Sequence, residues 1–182
     1  MTVMTTLPWS RPLTKADLAT MPDDGHRYEL LDGALLVTPA PVPMHQRCVA
    51  RLMRVLDPLV GGEFELFPAP LDVVLADDTV LQPDLLVARV AELTARNLPA
   101  APMLATEILS PSTRRIDLLL KRSRYEAAGC PAYWVVDPDE PSIIAWELRD
   151  GTYAEAGRAS GSDVLALTAP FAIRVVPSDL VN

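Results

Sequence analysis

Two acidic residues stand where an acid is costly. Asp84 follows Pro83 inside the apolar run VLQPDLLVA, and Glu107 interrupts MLATEIL twenty-three residues later. A carboxylate in a buried strand has to be paired, hydrogen-bonded or bound to a cation, because an isolated charge is expensive to desolvate. If the two strands lay side by side, both carboxylates would sit at one end of a sheet. A Mg²⁺ or Mn²⁺ ion, which takes oxygen ligands, could bridge them there and polarise a phosphodiester. On spacing alone the plainer alternative stands beside it: each acid points outward or pairs with an arginine.

Lys121 is the next residue of interest, since only it and Lys15 are lysines among the sixteen basic residues. It lies four positions after Asp117 and four before Tyr125, so the three share one face of a helix. The alternative is an ordinary i,i+4 ion pair worth about 0.3–0.5 kcal/mol. Arg114, Arg115, Arg122 and Arg124 fall on the same segment and read either as a local phosphate-binding patch or as a solvated face. Glu29 is a candidate third carboxylate, with pairing to Arg27 as its alternative. His45 stands at a helix start, where backbone N–H groups favour an anion and the ring could position water; a capping role is the alternative. Gln82 could line the same pocket. Ser110 and Ser112 read as turn and cap residues, because no Gly-x-Ser-x-Gly elbow surrounds them.

These side chains need elements to position them. Thr14 can cap a short helix through Met21, and Pro22 to Gly25 stops it. RYELLDGALLVTP reads as a hairpin turning at Asp32-Gly33. From His45, Val49, Leu52, Met53, Leu56 and Leu59 recur at helical spacing until Gly61-Gly62. FELFPAPLDVVL and VLQPDLLVA read as adjoining strands of a mixed sheet, RVAELTARN as a short helix or turn, and MLATEIL as a buried strand. The clearest helix is SPSTRRIDLLLKRSRYEAAGCP, capped by Ser112 or Thr113 and closed by Gly129 and Pro131. AYWVVDP is another strand, IIAWEL and TYAEAG form a hairpin at Asp150-Gly151, and the remainder reads as irregular with one short terminal helix at most. The pattern predicts an α/β (α+β) fold, a mixed β-sheet flanked by helices.

Composition sets the outer limits. With 182 residues, 49% of them hydrophobic, the chain can bury a sizeable core as one domain, 1–182, without disulfides. Cys48 and Cys130 stand far apart in sequence and read as reduced, buried thiols. A net charge of −8 excludes a global basic field, so any nucleic-acid contact must be local. The first residues carry no secretory apolar stretch and no segment approaches the length of a membrane span, so the expectation is a cytoplasmic protein with no membrane partner.

In chain order, YELLDG, His45 at a helix start, DDTVLQPDLLV and the long block EILSPSTRRIDLLLKRSRYEAAGCPAYWVVDP resemble the Uma-type restriction endonuclease family, a branch of the PD-(D/E)XK nuclease superfamily. The resemblance runs from about residue 28 to 138 and is most specific from Glu107 to Pro138. It implies a restriction-endonuclease-like core in which Asp84 and Glu107 are metal ligands, with the backbone carbonyl of Ile108 as a further ligand. It also marks a departure: the superfamily lysine belongs two residues after the acid, where this chain has Leu109. The resemblance implies that a lysine from the following helix fills the role, and the matching residue is Lys121.

The leading expectation is therefore a Mg²⁺- or Mn²⁺-dependent nuclease acting on nucleic acid, with DNA first. Asp84, Glu107 and Lys121 would be catalytic, with Glu29, His45, Gln82 and Tyr125 auxiliary. The resemblance leaves room for a homodimer, since restriction-type enzymes of this superfamily often pair two sites to cut both strands, but the sequence does not give the oligomeric state. The alternative is a catalytically degenerate module of the same fold that binds nucleic acid or protein, which the acidic pI and displaced lysine favour. A weaker third reading is a metal-dependent hydrolase of another substrate.

Overall fold

Proline and glycine cut the chain into short elements, and the order of those elements decides where the acids end up. The computed structural model describes residues 11–182. Helix α1 (Lys15–Leu18) starts after Thr14, whose N–H donates to the Asp17 carboxylate at 2.8 Å. Strands β1 (Arg27–Leu31) and β2 (Ala34–Thr38) pair antiparallel around Asp32 and Gly33, whose φ values of 54° and 75° suit a type I′ turn. Helix α2 (Pro43–Leu56) opens with proline in its first turn and buries His45, Cys48, Val49, Leu52 and Leu56 along one stripe.

Six short strands follow: β3 (Phe64–Pro68), β4 (Asp72–Ala76), β5 (Thr79–Leu81), β6 (Leu85–Arg89), β7 (Asn97–Leu98) and β8 (Leu104–Ile108). A helical segment then runs through Ile116–Lys121 in π geometry and continues as α3 (Arg122–Ala127). The chain ends in β9 (Ala132–Asp137), β10 (Ser142–Arg149), β11 (Thr152–Ser160), β12 (Leu165–Leu167) and β13 (Ile173–Val175), with a final 3₁₀ turn at Pro177–Leu180.

The strands assemble into a mixed six-stranded sheet, β11-β10-β9-β8-β6-β3, a five-stranded sheet, β2-β1-β5-β4-β7, and the small β12-β13 hairpin. In the six-stranded sheet β8 and β9 run parallel while β6 and β8 run antiparallel. Both faces of this sheet are covered. Leu85, Val87 and Leu104 pack with Cys48, Leu52 and Leu56 of α2, whereas Leu86, Ala88 and Ala105 pack with Leu109, Tyr125 and Tyr133 on the other side. Burial on both faces is why these strands read as continuous apolar runs.

Three expectations need correction. FELFPAPLDVVL and VLQPDLLVA do not form one strand each. β3 and β6 join the six-stranded sheet while β4 and β5 pair with each other in the five-stranded one, because prolines at 68, 70 and 83 interrupt the hydrogen-bonding ladders. The helix expected from Ser112 is a π segment followed by six residues of α-helix, and Ser110, not Ser112 or Thr113, supplies the hydroxyl that accepts the Thr113 N–H. The C-terminal stretch expected to be irregular holds β12 and β13. Cys48 and Cys130 are free and buried, each thiol donating to a backbone carbonyl. Among the described residues no helix is long and apolar enough to cross a membrane.

Candidate functional site

Strand register brings the two acids together. Leu85 pairs with Thr106 across β6 and β8, and one step further along the same register Asp84 stands opposite Glu107. Alternation puts both on the face that carries Leu86, Ala88, Ala105 and Leu109, the face covered by the π segment and α3. Leu109, at the position of the superfamily lysine, is a buried core residue of that face.

Lys121 descends onto the same spot from the π segment. Its side chain is only 3% exposed, and Nζ lies 2.9 Å from Glu29 Oε1, 3.0 Å from Glu107 Oε1 and 3.7 Å from Asp117 Oδ1. The wide π turns keep both Asp117 and Lys121 facing inward, and the Asp117 carbonyl accepts the Tyr133 hydroxyl at 2.8 Å. Burial alone would make the ammonium more acidic. Glu107, Glu29 and Asp117 outweigh it and hold Lys121 charged, well above the ordinary lysine value. An amine held this firmly as ammonium can orient and donate but is poorly placed to act as a base, which departs from the reading of Lys121 as a group that loses its proton.

Asp84 is held by a different set of partners. Arg27 donates to Oδ1 at 2.8 Å, while the Ile108 N–H at 2.8 Å and His45 Nε2 at 3.0 Å reach Oδ2. Burial works against ionisation here, but the His45 hydrogen bond and the Arg27 charge overcome it and draw the carboxyl down to about 2. Glu107 goes the other way. Complete burial, with the charges of Asp117, Asp84 and Glu29 nearby, pushes its carboxyl well above the usual range despite Lys121. Asp117 is raised to about 6, chiefly by burial.

A cavity of about 260 Å³ opens onto this group and is lined by Asp84, Glu107, Asp117, Arg27, His45 and the Leu109-to-Thr113 loop. Four carboxyl groups, Glu29, Asp84, Glu107 and Asp117, gather around two fixed cations, Arg27 and Lys121. Asp117 Oδ1 is buried without a hydrogen bond, and its charged neighbour is the Lys121 ammonium at 3.7 Å. Among the described residues no three His, Cys, Asp or Glu side chains form a ready metal cage. As hard oxygen donors Asp84 and Glu107 suit Mg²⁺, which retains several waters and needs no all-protein shell.

The other expected residues are placed as follows. Glu29 reaches the cluster from β1, its Oε1 accepting the Gln82 N–H at 2.8 Å. The Gln82 side chain turns away from the carboxylate cavity to bond Asp72. Tyr125 is fully buried and stacks on Tyr133, and its hydroxyl has no hydrogen-bond partner, so Lys121 is oriented by the acids. The four arginines do not make one free cationic face. Arg114 pairs with Asp137, Arg124 with Asp32, and Arg122 lies over the Trp146 ring, which leaves Arg115 as the exposed one of the four without such a partner. Arg27 is the functional candidate that sequence reading missed, because it was weighed only as a partner for Glu29. The available signal was its place two residues before Glu29, on the same face of β1.

No curated protein matches this sequence. The fold is similar to a crystal structure described as a putative nuclease belonging to DUF820 from Anabaena variabilis ATCC 29413. The TM-score is 0.72 and the identity 18%, over 93% of this chain and 98% of that one. Residues 16–176 match the Uma2 family, described as putative restriction endonucleases. The match spans nearly all of the chain and takes in every residue of the site, so the protein belongs to the Uma2 restriction endonuclease family.

Proposed function

We propose that the protein is a divalent-metal-dependent nuclease that hydrolyses phosphodiester bonds, with DNA as its substrate. The observation that carries this reading is the set of carboxylates Asp84, Glu107 and Asp117 lining a cavity at the end of β6 and β8, with Lys121 paired to Glu107 and Glu29 behind that lining. In this reading Asp84, Glu107 and the Ile108 carbonyl hold Mg²⁺ or Mn²⁺. The ion supplies Lewis acidity toward the phosphoryl group and lowers the pKa of water. His45 and the Ile108 N–H fix the Asp84 carboxylate, and Glu29 and Asp117 fix the Lys121 ammonium. That ammonium, paired with Glu107 behind the cavity lining, offsets the negative charge that develops on the phosphate. Arg27, partly exposed at the mouth, meets the incoming phosphate. Two chains acting together would cut both strands.

A second reading, a non-catalytic module of the same fold, is favoured by one observation: both Asp84 oxygens are already engaged by the chain's own donors. Incubation of supercoiled plasmid, single-stranded DNA and RNA with Mg²⁺, Mn²⁺ or EDTA separates the two. The nuclease reading expects metal-dependent nicking that disappears in Asp84→Asn and Glu107→Gln. Binding without cleavage in every metal would favour the module.

A further inference from the structure

A cavity of about 320 Å³ lies between α2, β13 and the terminal 3₁₀ turn, and it shares no residue with the cavity at Asp84 and Glu107. Arg51, Arg54 and Arg174 line it, with Asp179 as the acidic residue on the wall. Positions 47, 51 and 54 recur at i, i+4 and i+7, so Arg47 joins Arg51 and Arg54 on one outer stripe of α2. Arg47, Arg54 and Arg174 are exposed and Arg51 is half-buried. Two of the guanidiniums are tied to the 3₁₀ turn: Arg47 donates to the Val181 carbonyl at 3.4 Å and Arg51 to the Asp179 carbonyl at 3.2 Å. Each such bond leaves the rest of the guanidinium fork available. Among the described residues nine of the sixteen Lys and Arg side chains form ion pairs, and of the seven that do not, four gather here. A chain of net charge −8 thus keeps one concentrated group of uncompensated cations, well apart from its carboxylate cluster.

We propose that the surface of Arg47, Arg51, Arg54 and Arg174 is a second phosphate-binding site, which holds the backbone of a nucleic acid away from the candidate catalytic cavity. The proposal rests on the nucleic-acid reading for the kind of partner, and not on the metal chemistry. A guanidinium fork matches two phosphate oxygens, and the backbone carbonyls hold two of the four forks in place. Arg47 and Arg54 stand seven residues apart on α2, about 10 Å along the axis, or about three nucleotide steps at about 3.4 Å each. A row of that length suits successive phosphates better than one small anion. The aliphatic lining, Val55, Val175, Val176 and Leu180, is buried or half-buried, so the groups that project are charged, whereas a protein partner would draw its binding energy from apolar anchors. Contacts of this kind position a backbone and read no base.

The test is fluorescence anisotropy of the full-length protein in EDTA with a labelled DNA duplex of arbitrary sequence, over about 50 to 200 mM salt. The double substitution Arg54→Gln, Arg174→Gln removes two exposed side chains that make no hydrogen bond or ion pair among the described residues, so the fold is kept, which thermal unfolding checks. The slope of log K against log salt should fall by about two, and affinity at 0.1 M salt by roughly 60-fold. A control, Arg149→Gln with Arg158→Gln, removes the same net charge from arginines paired with Glu147 and Glu155 and should leave the slope unchanged. Absence of DNA binding by the parent, equal losses in both double variants, or no change in either overturns the site. Tight binding of polyglutamate without binding of DNA also overturns it and assigns the surface to an acidic protein. The nuclease reading fails separately: DNA binding that is lost with Arg54 and Arg174, but no cleavage in Mg²⁺ or Mn²⁺, keeps the site and loses the catalysis, whereas metal-dependent cleavage with an unaltered salt slope in that variant does the reverse.

Discussion

Replacing Asp117 with Asn should stabilise the metal-free protein, and by more at alkaline than at acidic pH. Burial lifts this carboxyl from 3.8 to about 6, with Lys121 opposing it only in part. At about 1.36 kcal/mol per pKa unit, that rise corresponds to about 3 kcal/mol. The sign follows from which state holds the proton. Between pH 3.8 and about 6 the folded protein keeps a proton that the unfolded chain has released, so stability falls as pH rises through that window and is lost in full above it. At pH 8 the ionised Asp117 therefore costs about 3 kcal/mol, and at pH 5 about half of that. Asparagine keeps the shape and removes the charge. Urea unfolding in EDTA should show Asp117→Asn more stable by up to about 3 kcal/mol at pH 8, equivalent to about 6–12 °C in Tm for a chain of this length, with about half the gain at pH 5. An equal gain at both pH values, or a loss at pH 8, would refute the reasoning.

Other substitutions probe neighbouring parts of the account. Lys121→Met strips the ammonium from Glu29 and Glu107 and should destabilise the protein by about 3–5 kcal/mol at pH 8, with a smaller loss at pH 5 where the raised Glu107 carboxyl takes up a proton; denaturant midpoints at the two pH values check this. Lys121→Arg keeps the charge but not the compact ammonium, and should lower turnover far more than Mn²⁺ affinity when cleavage and calorimetry are compared. Arg27→Met frees Asp84 Oδ1 and should tighten Mn²⁺ binding in calorimetry while slowing cleavage; weaker binding would contradict the assignment of Arg27. Gly33→Ala places a Cβ 2.4 Å from Pro12 Cβ at φ +75°, so thermal unfolding should show a loss of about 2 kcal/mol or more.

Local chemistry made some of this legible in the sequence. The Asp32-Gly33 and Asp150-Gly151 turns could be read because few residue pairs adopt positive φ in succession, and both turns join antiparallel strands. Asp84 and Glu107 stood out because a charge inside an apolar run demands a partner. The identity of those partners was hidden: Arg27 reaches Asp84 across fifty-seven residues, a pairing set by sheet order and not by spacing. The π geometry of Ile116–Lys121 was hidden as well, since an i,i+4 pattern of inward residues is equally compatible with an α-helix. The arginine run looked like a patch because one-dimensional spacing does not reveal Asp137, Asp32 or Trp146 waiting opposite.

The central claim is that the ends of β6 and β8 form a divalent-metal site. Anomalous diffraction from crystals grown with Mn²⁺ tests it most directly. The account predicts one peak with Asp84, Glu107 and the Ile108 carbonyl at about 2.0–2.3 Å, absent from crystals of Glu107→Gln grown the same way. A strong peak elsewhere on the molecule, or no peak here at millimolar Mn²⁺ with Arg27 still bound to Asp84, would contradict it.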